Sequence, residues 1–169
     1  MRFHFAHLDN LRELYVDQIQ HLHSAETQIC EALPDVVEAA DDPELRRVLE
    51  DHLQETREQL LQLEDILDHT AGQPESKQSK AMAALIDESK DLIGDAKNER
   101  VRDAAIITTW LRIERYEITA YEAVREFAEI IGETSHANLH EHSLEEEKKA
   151  DDALTNLWSA ANTMADRAA

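Results

Sequence analysis

Six acidic residues stand where carboxylates could meet: Glu26, Glu55, Glu114, Glu117, Glu147 and Asp151. Five of them fall on stripes in which apolar residues return at alternating steps of three and four, the spacing of one buried helix face. The first stripe runs Leu8, Leu11, Tyr15, Gln18, Leu22, Glu26, Ile29, Leu33, Val36, Ala40. A second carries His52, Glu55 and Gln59 between Val48 and Leu63. The third carries Glu114, Glu117 and Tyr121 between Trp110 and Val124, and the fourth passes from His140 through Ser143 and Glu147 to Ala150 and Leu154. Each is apolar over most of its length and broken near its middle by Glu.

An ionised carboxylate costs several kcal/mol to bury alone, so such a cluster needs protons, Arg partners or a cation. Carboxylates from four packed helices meeting at one level form the di-metal sites of helical bundles. Hard oxygen ligands suit Fe, Mn or Mg, and imidazole shifts the preference toward Fe, Mn and Zn. The bland alternative is that these acids sit beside the core in solvent, since 37 acidic residues put some on any stripe by chance. Height decides against chance. Glu26 and Glu55 are 29 positions apart and Glu117 and Glu147 are 30 apart, so two hairpins would present their acids at matching levels. Gln59 and Asp151 follow four residues after Glu55 and Glu147, a faint internal duplication. Bridging ligands must reach two metals about 3.5–4 Å apart; Glu55 and Glu117 are placed for that role, with Glu26 and Glu147 as terminal ligands.

The elements that must hold these residues are helices. Only 3 Gly and 3 Pro punctuate 169 residues, too few for the turns of an all-β fold. The punctuation predicts one all-α domain over 1–169, with long helices near 9–40, 43–70, 98–131 and 134–164. Asp42 and Pro43 read as N-cap and first helical residue of the second. Gly72 reads as the left-handed C-cap of the second helix, Gly132 as the end of the third long helix, and Thr134 or Ser135 as the last N-cap. Pro34 should bend the first helix or end it early. Residues 73–97 form a crossover holding a short helix near Ser79–Ile93 that stops at Gly94. Two tight hairpins joined by one long crossover make a ferritin-like four-helix bundle.

Charge and composition exclude other classes. The formal charge of −20 argues against nucleic acid and anionic membranes as partners. Cys30 has no second cysteine to pair with and reads as a reduced, buried thiol. The N-terminus MRFHFAHLDN shows no signal-peptide pattern, so a cytoplasmic location is expected. No phosphate-binding loop, nucleophile elbow or dinucleotide fingerprint occurs. His4, His7, His21, His23, His136, His140 and His142 read as solvated, and Tyr15 as core. For Tyr121 a core role and a hydrogen bond to a bridging Glu stand even.

The sequence also resembles the YciE/YciF family of stress-associated proteins, within the ferritin-like superfamily. The resemblance extends from Leu8 to about Leu157. It is carried by Leu14-Tyr15, Ala25-Glu26-Thr27-Gln28 and Ala32-Leu33-Pro34, then by His52-Leu53-Gln54-Glu55-Thr56 with Gln59. It continues through Arg102-Asp103-Ala104, Glu114-Arg115-Tyr116-Glu117-Ile118 with Tyr121, Leu144-Glu145-Glu146-Glu147-Lys148 and Ala150-Asp151. It implies a ferritin-like fold, a homodimer and a carboxylate-rich centre of two metal ions, iron first and Mn second. Similar rubrerythrin-type sites reduce peroxide and ferritin-type sites oxidise Fe(II) with O₂. By the same resemblance Glu114 is an added ligand or proton carrier. One departure stands out: the Glu-x-x-His pair of such sites is missing, with Glu58 and Ala150 where the histidines belong. His52, three before Glu55, is then either a ligand or a supporting group behind the ligands, with Gln59 and Tyr121.

The expectation is a di-metal carboxylate protein acting on peroxide or O₂. Its alternative is a stress-induced structural or interaction protein with a vestigial site. A homodimer is expected independently, because apolar positions such as Leu49, Leu53, Leu60, Leu67, Ile130 and Trp158 should be only partly covered.

Overall fold

A computed structural model describes residues 8–71 and 77–168. The chain forms α1 (Leu11–Ala39), α2 (Pro43–Ala71), α3 (Lys80–Asp95), α4 (Glu99–Ile131) and α5 (Thr134–Asp166), with no strand among the described residues. α1 pairs with α2 and α4 with α5; α1 also packs on α4 and α2 on α5, closing a ring of four. Across the ring, α1 faces α5 and α2 faces α4. α3 lies outside, on α1 and α4. The all-α bundle, its two hairpins and its crossover helix are as the sequence predicts.

Local chemistry explains the boundaries. The Asn10 side chain accepts from the Glu13 N–H and caps α1. Asp42 accepts from Glu44 and Leu45 N–H at 2.8 and 3.1 Å, with Pro43 as the first helical residue of α2. Asn98 caps α4 through the Arg100 and Val101 N–H groups, and Gly132 closes it at φ 83° in the left-handed region. The α1–α2 turn is clamped from α4. Asp103 accepts from the Asp41 and Asp42 N–H groups at 2.8 and 3.0 Å, and Arg102 Nε donates to the Ala39 carbonyl at 2.9 Å.

Several expected details differ. α1 runs through Pro34 to Ala39 without ending; Pro34 is exposed while Leu33 and Val36 are buried, so packing holds the helix past the lost N–H. α3 continues past Gly94 to Asp95, because Lys97 Nζ takes the Gly94 carbonyl at 2.7 Å and no left-handed turn is needed. Thr134 opens α5 as a helical residue. The cap is Glu133, whose carboxylate is bound instead by Arg12 at 2.6 Å. Gly72, expected to cap α2, lies outside the described residues, as do His4 and His7. Leu49 and Leu67 are fully buried in the core, not on the outer face.

The apolar core is in two pieces. One fills the end near the α1–α2 turn, around Ile29, Leu33, Leu49, Ile107 and Trp110. Another fills the end near the α4–α5 turn, around Tyr15, Ile19, Leu63, Tyr121 and Leu144. Between them lies a layer of buried polar residues: Glu26, His52, Thr56, Gln59, Glu114, Glu117 and Glu147.

Candidate metal centre

Each helix of the ring delivers part of that layer. α1 contributes Glu26, one step after Leu22 and one before Ile29 on a stripe that runs Tyr15, Ile19, Leu22, Glu26, Ile29, Leu33 and Val36, all buried. α4 contributes Glu114 and Glu117 a turn apart, and α5 contributes Glu147. The four carboxyl groups are fully shielded from solvent. On α2 the inward positions are His52, Thr56 and Gln59.

One ligand atom each from His52, Glu114, Glu117 and Glu147 comes within 4.8 Å of every other. Atoms bound to one ion at about 2.0–2.2 Å lie at most about 4.4 Å apart, so small side-chain shifts close this set on a cation. His52 Nε2 is 3.4 Å from Glu114 Oε1 and 4.0 Å from Glu117 Oε2, across the diagonal of the bundle. Glu26, in the same buried layer but outside that set, accepts at Oε1 from the Tyr121 hydroxyl at 2.6 Å. Gln59 Nε2 donates to Glu147 Oε1 at 2.6 Å and to Glu146 Oε2 at 3.0 Å. Tyr121 and Gln59 therefore orient the Glu26 and Glu147 carboxyls, the part that outer partners play in metal sites.

Burial sets the electrostatics of the layer. Burial raises the Glu26 carboxyl to about 7, against the hydrogen bond from Tyr121. Burial pushes Glu114, Glu117 and Glu147 well above the carboxylate range, and their charges add to the push on one another. Burial drives the His52 ring down to about 4, so it is neutral at pH 7 with a lone pair free. Among the described residues no Lys or Arg side chain is buried, which removes Arg as the partner of these acids. Both oxygens of Glu114 and Glu117, one each of Glu26 and Glu147, and His52 Nδ1 have no hydrogen-bond partner. Buried acceptors are rarely left so. Four carboxylates and a neutral imidazole, with free lone pairs turned on each other, fit hard divalent cations.

Two of the six expected acids lie elsewhere. Glu55 is half buried on the rim, outside the group, because Thr56 takes the inward position on α2. A stripe phased on Leu49 gives 49, 52, 56, 59, 63 and 66, all buried, and would have found Thr56. Asp151 is turned to Arg115, whose Nε reaches its Oδ1 at 3.0 Å. Both still add negative charge at Glu114. Two histidines read as solvated are buried. His23 lies 3.6 Å from Glu64, and His140 Nε2 is 3.0 Å from the Tyr15 hydroxyl, with its ring driven down to about 3 by burial. His140 heads the fourth stripe, and that position was the signal. Cys30 is a half-buried thiol raised to about 11 by burial and then by the Glu26 charge.

With this geometry in hand, comparison with known proteins is decisive for the family. The model of the family described as "Domain of unknown function (DUF892)" matches residues 10–168. The chain belongs to that family. Among DUF892-related proteins, Protein YciF of Escherichia coli K12 is 29 % identical over 151 residues, 89 % of this chain and 91 % of that one. The crystal structure of the E. coli stress protein YciF superposes with a TM-score of 0.86 at 28 % identity, covering 92 % of this chain and 99 % of that one. YcfI from Rhodopseudomonas palustris matches at 0.86 and 29 % identity, covering 90 % and 98 %. These matches bear out the YciE/YciF resemblance and the helical-bundle fold. No helix among the described residues is long and apolar enough to cross a membrane.

Proposed function

We propose that this DUF892 protein holds two divalent metal ions, iron in preference to manganese, at His52, Glu26, Glu114, Glu117 and Glu147, and acts on peroxide or O₂ under stress. The observation that carries the proposal is the buried acidic layer without a basic partner. Four carboxylate charges offset two divalent cations, and His52 adds a neutral ligand that favours Fe and Mn over Mg. The stress association of YciF supports the context.

Bound Fe(II) would supply the electrons: two ions give two, and with two protons these reduce one H₂O₂ to two waters. The chain's own residues do the rest. Glu117 and Glu114, one turn apart on α4, face the helices on both sides. Tyr121 fixes the Glu26 carboxylate by donating to Oε1, and Gln59 fixes Glu147. The two apolar cores above and below exclude water from the layer. In the metal-free chain burial favours the protonated carboxyls of Glu26, Glu114, Glu117 and Glu147, and a cation would displace those protons.

Elemental analysis of untagged protein from iron-fed cells, purified without chelator, tests the reading. Two metals per chain with Fe above Mn are expected, with a melting temperature that rises on metal addition and falls with EDTA. Well under one metal per chain, with no thermal shift either way, would support a purely structural role instead.

A further inference from the structure

A surface cavity of about 170 Å³ opens between α2 and α5 at the height of the polar layer. His52 forms part of its wall, so the cavity reaches the same imidazole that lies beside Glu114 inside the bundle. That residue is 2 % exposed, and its Nδ1 has no hydrogen-bond partner. A buried, unpaired ring nitrogen is unfavourable unless something takes it up. The exposed Asp51 and the half-buried Glu55 stand at the same cavity. Arg47 and Lys149 line it too. Arg47, however, is held by Glu44 and Asp51 at 2.6 and 3.1 Å, and the chain's formal charge of −20 draws cations toward it. On the far side of the ring, α3 covers the α1–α4 seam.

The geometry points to this cavity as the port through which a divalent cation reaches the buried carboxylates, with Glu55 as the transit carboxylate and His52 as the inner handover. The port rests on the metal-binding reading above and deepens it: Glu55 serves the rate of loading and not the final coordination. A carboxylate at the mouth lets the ion shed part of its water shell before it meets His52. It can then pass to Glu114 and Glu117, both beside the ring.

Stopped-flow mixing of metal-free protein with Co(II), followed by the visible absorbance of the bound ion, measures the loading rate; equilibrium dialysis measures the final stoichiometry. Ala153→Phe fills the cavity from α5 and should slow loading at least tenfold, with Co(II) per chain unchanged. Glu55→Gln keeps the shape and removes the charge. It should slow loading by about three- to tenfold at low salt and by less than about twofold at high salt, where screening removes the long-range attraction. If both variants keep wild-type far-UV spectra and load within twofold of the wild-type rate, the port is wrong and the metal reading stands. A Glu55→Gln protein that holds no Co(II) at equilibrium also overturns the port, since Glu55 is then a ligand. Wild type that takes up no Co(II) overturns both.

Discussion

At the scale of single residues, Glu117→Ala separates binding from folding. Glu117 is fully buried, and its carboxyl is raised first by burial and then by the charges of Glu147, Glu26 and Glu114. Its loss should empty the site and abolish any reaction with peroxide or O₂. The metal-free variant should be less stable than metal-free wild type by no more than about 1–3 kcal/mol, because a buried carboxyl without a hydrogen-bond partner is removed while the apolar layers are kept. Full metal and full activity in the variant would show that Glu117 is not a ligand. The same groups set the pH response without metal. A carboxyl that holds its proton more tightly folded than unfolded lends stability that is complete below its unfolded pKa and lost as pH climbs through the folded one. Glu26, at about 7, and its three raised neighbours act this way. His52 and His140, lowered from 6.5 to about 4 and about 3, act oppositely and lose their contribution as pH falls below about 6.5. Between about pH 4.5 and 6.5 the four raised carboxyls outweigh the two lowered imidazoles, so the melting temperature in EDTA should be highest toward the acid side of that window and fall toward pH 8.5. A melting temperature rising steadily to pH 9 would contradict these assignments. Glu26, Glu114, Glu117 and Glu147 were legible in the sequence because an acid on an apolar stripe breaks a strong pattern. Glu55 was misplaced because a step of three and a step of four are equally helical, and only the phase set by Leu49 distinguishes it from Thr56.

The scale of the element is governed by caps and clamps. Asp103 on α4 takes two N–H groups of the α1–α2 turn, joining the second hairpin to the first at one end of the bundle. Asp103→Ala strands both donors in a part-buried turn and should cost about 1–3 kcal/mol in urea unfolding. Asp103→Asn keeps one acceptor and should lose less. Equal stability of all three proteins would mean that water serves the turn as well as the carboxylate does. The Asp42-Pro43 cap, the start of α4 near Asn98 and its end at Gly132 were readable because a helix boundary is decided largely by residues within one turn of it. Gly94 and Thr134 were not, since each outcome depends on another side chain: Lys97 beneath Gly94, Arg12 on Glu133. The stretch from α2 to α4 showed by its length that it must cross the bundle. Its seat on α1 and α4 was not written in any local pattern.

For the molecule as a whole, charge and apolar surface compete. Leu61 and Ile130 stand 65 % and 64 % exposed and Trp158 36 %, on a chain of formal charge −20. These positions are the ground on which we propose a homodimer. Light scattering at moderate salt should give twice 19.3 kDa, with dissociation favoured at low ionic strength, where repulsion is least screened. A 19.3 kDa particle at moderate salt would contradict it. The division of the core by a charged layer has a kinetic meaning as well. Helices ordinarily open from their ends, yet here the apolar grip is strong toward both ends and interrupted in the middle. Without metal, the bundle should breathe at its waist. Amide hydrogen exchange in EDTA should be faster around residues 52–59 and 114–117 than in the blocks on either side. Metal should slow the waist far more than the flanks, because the ion ties four helices at one level. Uniform slowing along the helices would show that the two halves already open together. Protection that appears at the middle first would mark the ion as the rivet that turns two half-bundles into one cooperative unit.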